Sequence, residues 1–204
     1  MISESENAEP SIAPVGSAPA SIASQIHSAV RDDLLRVAAD PALTEDLAMA
    51  FLKRADLPSD VLEHLAKNGN ALKLRKVRVA LVCHPHTPRH VSVPLARQFY
   101  TFDLLKVALS PSVPADVKVA ADGLLIARLK TITIGERLSL ARRASGRVAG
   151  SLLLDGETRV MRTALENPRL TEAFVIQAVL RPQAGAAFIQ AAGLFLSAQA
   201  ACFW

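Results

Sequence analysis

A recurring proline-centred punctuation constrains this chain more than any other feature. Four segments carry it: Asp40-Pro41-Ala42-Leu43-Thr44-Glu45, His84-Pro85-His86-Thr87-Pro88, Ser110-Pro111-Ser112-Val113-Pro114 and Asn167-Pro168-Arg169-Leu170-Thr171-Glu172. Each opens on a small polar residue or His, continues with Pro and two further residues, and reaches Thr or Pro before an apolar run. The residue before a proline avoids the α region, so the first Pro ends the preceding helix. The second Pro suits the first helical position, where its missing N–H costs nothing. Thr44 and Thr171 suit the cap of the next helix, with Glu45 and Glu172 placed to favour its dipole. Each segment therefore reads as a tight corner between two helices. Leu57-Pro58-Ser59-Asp60 reads as a shorter fifth corner.

Apolar residues between the corners recur every three or four positions, as in Ile22, Ile26, Val30, Leu34 and Val37. Half of the residues are hydrophobic but only 4% are aromatic. Ala, Leu and Val carry the apolar content, which favours helices and argues against a β-sandwich. Helices are expected near 22–38, 44–54, 58–67, 71–83, 88–99, 101–109, 114–130, 134–144, 147–154, 157–166, 171–181 and 184–202, with Pro94 kinking or splitting the fifth. The spacings of 44, 26 and 57 residues between Pro41, Pro85, Pro111 and Pro168 are irregular. Short helix pairs that cannot bury their own apolar faces must stack on neighbours. The expected fold is all-α: a right-handed stack of about 10–12 short helices in pairs, an α-solenoid. Residues 1–21, rich in Ser, Ala, Pro and Glu, read as a disordered tail, 22–182 as the helical domain and 183–204 as an apolar C-terminal helix.

Two stretches carry a family likeness. They are Val77-Arg78-Val79-Ala80-Leu81 before the corner at His84, and Thr158-Arg159-Val160 to Ala164-Leu165 before the corner at Asn167. They resemble the HEAT-like and leucine-rich-repeat-variant α-solenoid proteins, whose repeats carry Val-Arg, then Ala, then Asn-Pro. The segment from Gly135-Glu136-Arg137 to Leu140-Ala141-Arg142-Arg143 resembles uncharacterised bacterial members of that type. The likeness covers roughly residues 40–181; the irregular spacing and the absence of Asn from three of the four corners depart from it. It implies a surface for binding protein or nucleic acid and no shared active site.

Charge is segregated along the chain. Residues 1–70 balance at −6, residues 71–147 at +10 and residues 148–204 at zero. The basic section holds Lys73, Arg75, Lys76 and Arg78 in one expected helix, then Arg128, Lys130, Arg137, Arg142, Arg143 and Arg147. Aligned on successive helices, these would form a stripe able to follow a phosphate backbone. The alternative is a solvated face, or a partner for the acidic N-terminal third of the chain, in cis or between protomers. Phe99, Tyr100 and Phe102 are expected in the core rather than as base-stacking platforms.

Catalytic and cofactor signals are poor. Cys83, His84, His86 and His90 form the densest ligand-type cluster, and His86 and His90 have a metal-compatible spacing. They straddle a proline corner, where a turn role for His84 and a packed Cys83 are favoured over a metal site. Asp103, Asp116 and Asp122 are scattered, and no phosphate-cradling glycine loop, nucleophile elbow or zincin helix occurs. No enzyme, cofactor or metal is expected. Two cysteines give no disulfide framework, and the acidic N-terminus shows no signal peptide, so a cytoplasmic location is expected. From Gln183 to Trp204 no residue is charged. A buried final helix is favoured there, with a dimerisation helix or a tail anchor as alternatives. The leading expectation is a non-enzymatic scaffold for a protein partner; the second is a nucleic-acid-binding solenoid using the basic section.

Overall fold

The computed structural model describes residues 25–27 and 30–201. The tail expected over residues 1–21 lies outside them. The described residues form thirteen helices joined by turns, without strands. The chain divides into two compact units, residues 1–77 and 78–204.

The first unit holds α1 (Arg31–Ala39), α2 (Glu45–Leu52), α3 (Ser59–Lys67) and α4 (Gly69–Lys73), and the division falls within α5 (Arg75–Cys83). Its core is Leu34, Val37, Ala48, Phe51, Leu57, Val61, Leu62 and Leu65, all buried. α1 packs on α3, and α3 on α4. Two expectations are corrected here. The helix expected over 22–38 is interrupted: Gln25 is helical, Ile26 and His27 lie in a turn, and α1 begins at Arg31. Val30 is its extended N-cap and is exposed, while Asp32 and Asp33 favour the positive end of the helix in its first turn. The helix expected over 71–83 is two helices broken at Leu74, which is extended at φ −83°, ψ 112°. Asn68 starts the first of them early, its side chain accepting from the N–H groups of Asn70 and Ala71. Lys73 therefore does not share a helix with Arg75, Lys76 and Arg78.

The second unit continues with α6 (Arg89–Ala96), α7 (Thr101–Leu109), α8 (Ala115–Arg128), α9 (Ile134–Arg143), α10 (Gly146–Leu152), α11 (Thr158–Leu165), α12 (Glu172–Val179) and α13 (Ala186–Ala201). One apolar core runs through it from Val79 and Val82 through Leu104, Val117, Leu125, Leu140, Val148, Val160 and Val175 to Phe188 and Ala192. Helices pack on their neighbours in sequence (α7 on α8, α9 on α10, α10 on α11, α12 on α13) and on the next but one (α6 on α8, α8 on α10, α9 on α11, α10 on α12, α11 on α13).

The corners work through one local device. The side chain before proline accepts the N–H two residues on: Asp40 from Ala42 at 2.7 Å, His84 Nδ1 from His86 at 3.3 Å and Asn167 from Arg169 at 2.8 Å. At the fourth corner the hydroxyls of Ser110 and Ser112 bond at 2.9 Å. The fourth corner residue, Leu43, Thr87, Val113 or Leu170, is buried each time. Thr87 is polar among these and donates its hydroxyl to the Leu81 carbonyl at 2.6 Å. Thr44 caps α2 as its position suggests, accepting from Leu47 N–H, whereas Thr171 makes no side-chain cap bond. Pro58, Pro88 and Pro114 sit at the N-cap, one residue earlier than the first helical position, and contribute the carbonyl that opens each helix. Pro94 lies inside α6, which ends two residues later at Ala96 instead of reaching residue 99.

Helix starts reveal a spacing that the prolines hide. Starts fall 14 residues apart from α1 to α2 to α3, from α5 to α6, from α7 to α8, and from α11 to α12 to α13. Side-chain bonds to backbone reach about twice that distance. Asn68 donates to the carbonyls of Ala38 and Asp40, 30 and 28 residues back. Ser112 donates to Cys83, Arg128 to Arg97 and Phe99, and Asn167 to Ala141 and Ala144, over separations of 23–31 residues. The carbonyls that a helix end leaves unpaired are thus taken up at α1, α5 and α9 by a side chain from a later corner.

Candidate interaction groove

A pair of glycines shapes one concavity of the second unit. Gly146 and Gly150 lie one turn apart on α10. A Cβ at Gly146 would stand 2.2 Å from the Arg169 carbonyl oxygen, and one at Gly150 would stand 3.1 Å from the Phe174 Cβ. Their bare backbone lets the start of α12 settle onto α10. Phe174 lies on Gly150, and Gln177, Ala178 and Arg181 follow at the spacing of one helical face. With Ile126 of α8 and Arg147 and Ser151 of α10 they line an open cavity of about 510 Å³. Ile126, Gly150 and Phe174 are half-buried and Ala178 is buried, whereas Arg147, Gln177 and Arg181 are exposed. An apolar floor is thereby bordered by two guanidinium groups and an amide.

Asp122 lies one turn before Ile126 on α8 and is 6% exposed. Burial pushes its carboxyl pKa up, while the Ser145 hydroxyl and the Arg147 guanidinium pull it back. Its Oδ1 has no hydrogen-bond partner among the described residues. A second concavity, about 600 Å³, is lined by Phe102, Leu105, Lys106, Leu109 and Ser110, with Arg143 of α9 across from them.

The ten basic residues expected to form a stripe have different situations. Lys73, Arg75 and Lys76 belong to the first unit, where Lys76 pairs with Glu45 at 2.7 Å and Lys73 donates to Asn70 at 3.1 Å. Arg78 is half-buried at the start of the second unit, its Nε without a partner among the described residues. Arg128 turns to the carbonyls of Arg97 and Phe99. Arg137 reaches both carboxylate oxygens of Asp155 at 2.7 Å, and the Asp155 side chain is only 7% exposed. Lys130, Arg142, Arg143 and Arg147 are exposed. Arg143 and Arg147 enter the two concavities, where they meet Lys106 and Arg181, which sequence reasoning left out. Glu136, the acid amid the run, forms a capping box with Thr133, whose backbone and hydroxyl hold its carboxyl below the usual range.

The Cys83 to His90 cluster does not converge. No group of three His, Cys, Asp or Glu among the described residues could hold a metal ion. α6 begins at Arg89, so His86 stays in the corner while His90 rides the helix. His84 is buried, its ring edge-on to that of His86 at 5.7 Å. Cys83 is half-buried, and burial pushes its thiol pKa up despite Lys106 nearby. Of the aromatic residues expected in the core, Phe99 is buried, but Tyr100 and Phe102 are 68% and 46% exposed. They flank the start of α7, where Tyr100 is the extended N-cap and points away from the packed face that Leu104 and Leu105 supply.

Asp116 is bound to Arg89 at 3.0 Å, and Asp103 stands half-buried in the first turn of α7. α13 packs on α11 and α12 and buries Phe188 and Ala192, but leaves Ile189 and Leu194 exposed, as Ile176 of α12 and Leu180 just past its end are exposed. None of the described helices is long and apolar enough to cross a membrane. The chain matches no protein-family model, and no curated protein or solved structure matches it either.

Proposed function

We propose that this chain is a non-enzymatic scaffold that binds another protein along stacked helix pairs, an α-solenoid of the HEAT-like kind with right-handed stacking. The recurrent 14-residue spacing of helix starts and the packing of α1 on α3, α6 on α8, α8 on α10, α9 on α11, α10 on α12 and α11 on α13 support the stacking. The observation that carries the binding reading is the groove over α8, α10 and α12, an apolar floor bordered by exposed Arg147, Gln177 and Arg181. The basic section supports nucleic acid less well, because Arg128 and Arg137 are engaged by groups of their own unit.

A photo-crosslinking side chain placed at Gln177 in the full chain tests the proposal in cells. A discrete protein adduct, absent when the same group replaces exposed Arg159 on α11, is the expected result. A fluorescent duplex and a single strand, titrated across a salt series, give the opposing arm. Tight binding that falls steeply with salt replaces the scaffold by a nucleic-acid-binding solenoid.

A further inference from the structure

We infer that the α8/α10/α12 groove takes a short extended segment of a partner protein in which carboxylate and apolar side chains alternate. The inference rests on the scaffold reading and adds the chemistry of the partner. Arg147 approaches from α10 and Arg181 from the bend just past the end of α12, with the half-buried Phe174 and the Gly150 backbone in the same lining. The guanidinium of Arg181 makes no hydrogen bond or ion pair among the described residues, nor does that of Arg147, which acts electrostatically on the buried Asp122. A planar guanidinium presents paired donors that match a carboxylate, so two of them fit two acidic side chains.

An extended strand turns successive side chains to opposite sides. Acidic residues can then meet the arginines while alternate apolar residues lie towards Ile126, Ala178 and Phe174. Gln177, with donor and acceptor both exposed, suits the main chain of such a segment. Phosphate-rich chains fit less well. The groove has two cations rather than a row, and the exposed aromatic faces, Tyr100 and Phe102, lie away from it beside α7. The one aromatic ring in its lining, Phe174, is half-buried against Gly150, so the lining offers no row of platforms for successive bases.

The probe is a short fluorescein-labelled peptide of alternating glutamate and leucine, followed by anisotropy with the full chain. Saturable binding is expected, weakened about 10-fold by either Arg147→Ala or Arg181→Ala, a loss typical of one hydrogen-bonded charge. Arg142→Ala, an exposed arginine on α9 outside the groove, should leave it unchanged. A matched lysine–leucine peptide should not bind. Circular dichroism of each variant checks that the helices persist. Absence of binding, or binding indifferent to both groove variants, overturns the inference. A single-stranded oligonucleotide that binds more tightly and responds to the same two variants overturns the partner class. If the peptide fails while the Gln177 crosslink still yields a protein adduct, the acidic segment is wrong and the scaffold stands; if both fail, both fall.

Discussion

Asn167 engages every strong group of its side chain while 3% exposed: two donors to Ala141 and Ala144 and one acceptance from Arg169. Replacing it with Ala strands two helix-end carbonyls in the interior. Asn167→Ala should cost about 1–3 kcal/mol in urea unfolding, and Asn167→Asp should do no better, because a carboxylate cannot donate to those carbonyls. A loss below a few tenths of a kcal/mol would mean that water replaces the amide. Asn167 stood out in the sequence through its proline, but its reach did not, since a bond over 23–26 residues leaves no local trace. Asn68 does the same work without a proline and passed unmarked. Asp122 differs, being buried with one oxygen unpartnered. Its raised pKa means that the folded protein holds the proton more tightly than the unfolded chain, so this residue lowers stability as pH rises from the ordinary carboxylate range through the raised value. Asp122→Asn should raise the melting temperature at neutral pH and flatten that part of the stability–pH curve. An unchanged slope would show that the carboxylate ionises as freely folded as unfolded.

Helices were the most legible elements, because leucine and alanine at helical spacing bounded by prolines leave few alternatives. α7, expected over 101–109, spans Thr101–Leu109. Failures came where a cap overrode periodicity, as at Asn68 and Leu74, or where acidic residues fixed the start, as at Arg31. The groove was less legible than the helices. Arg147 was visible as a charge, but its partner Arg181 sits outside the basic section. The glycines that admit α12 look in sequence like weak helix formers. Two substitutions of the same type separate these roles. Gly146→Ala should destabilise by about 1–3 kcal/mol, because a Cβ 2.2 Å from a backbone carbonyl forces helices apart. Gly123→Ala on α8 meets nothing within 4 Å and should stabilise by up to about 1 kcal/mol through helix propensity. Thermal denaturation of the pair checks both signs; equal shifts would remove the glycine argument.

Across the molecule, charge order along the chain proved a poor guide to charge order on the surface. A residue's direction depends on which helix face is packed, and packing turned Arg128 and Arg137 to groups of their own unit. The two units also give separate contexts for equivalent amides. Hydrogen exchange should show Asn167→Ala loosening residues 78–201 while leaving 31–77 at wild-type rates, and Asn68→Ala doing the reverse. Uniform loosening by either change would show one cooperative body. The long side-chain ties also set the grain at which such a chain can grow or shrink. Each reaches back past two intervening helices to a helix end about 28 residues earlier. Inserting a single helix would present each tie with the wrong end and turn every later apolar face outward. Inserting two restores both. Viable length variants should therefore differ by whole pairs, and a duplicated pair should lengthen the protein without a new core having to be invented.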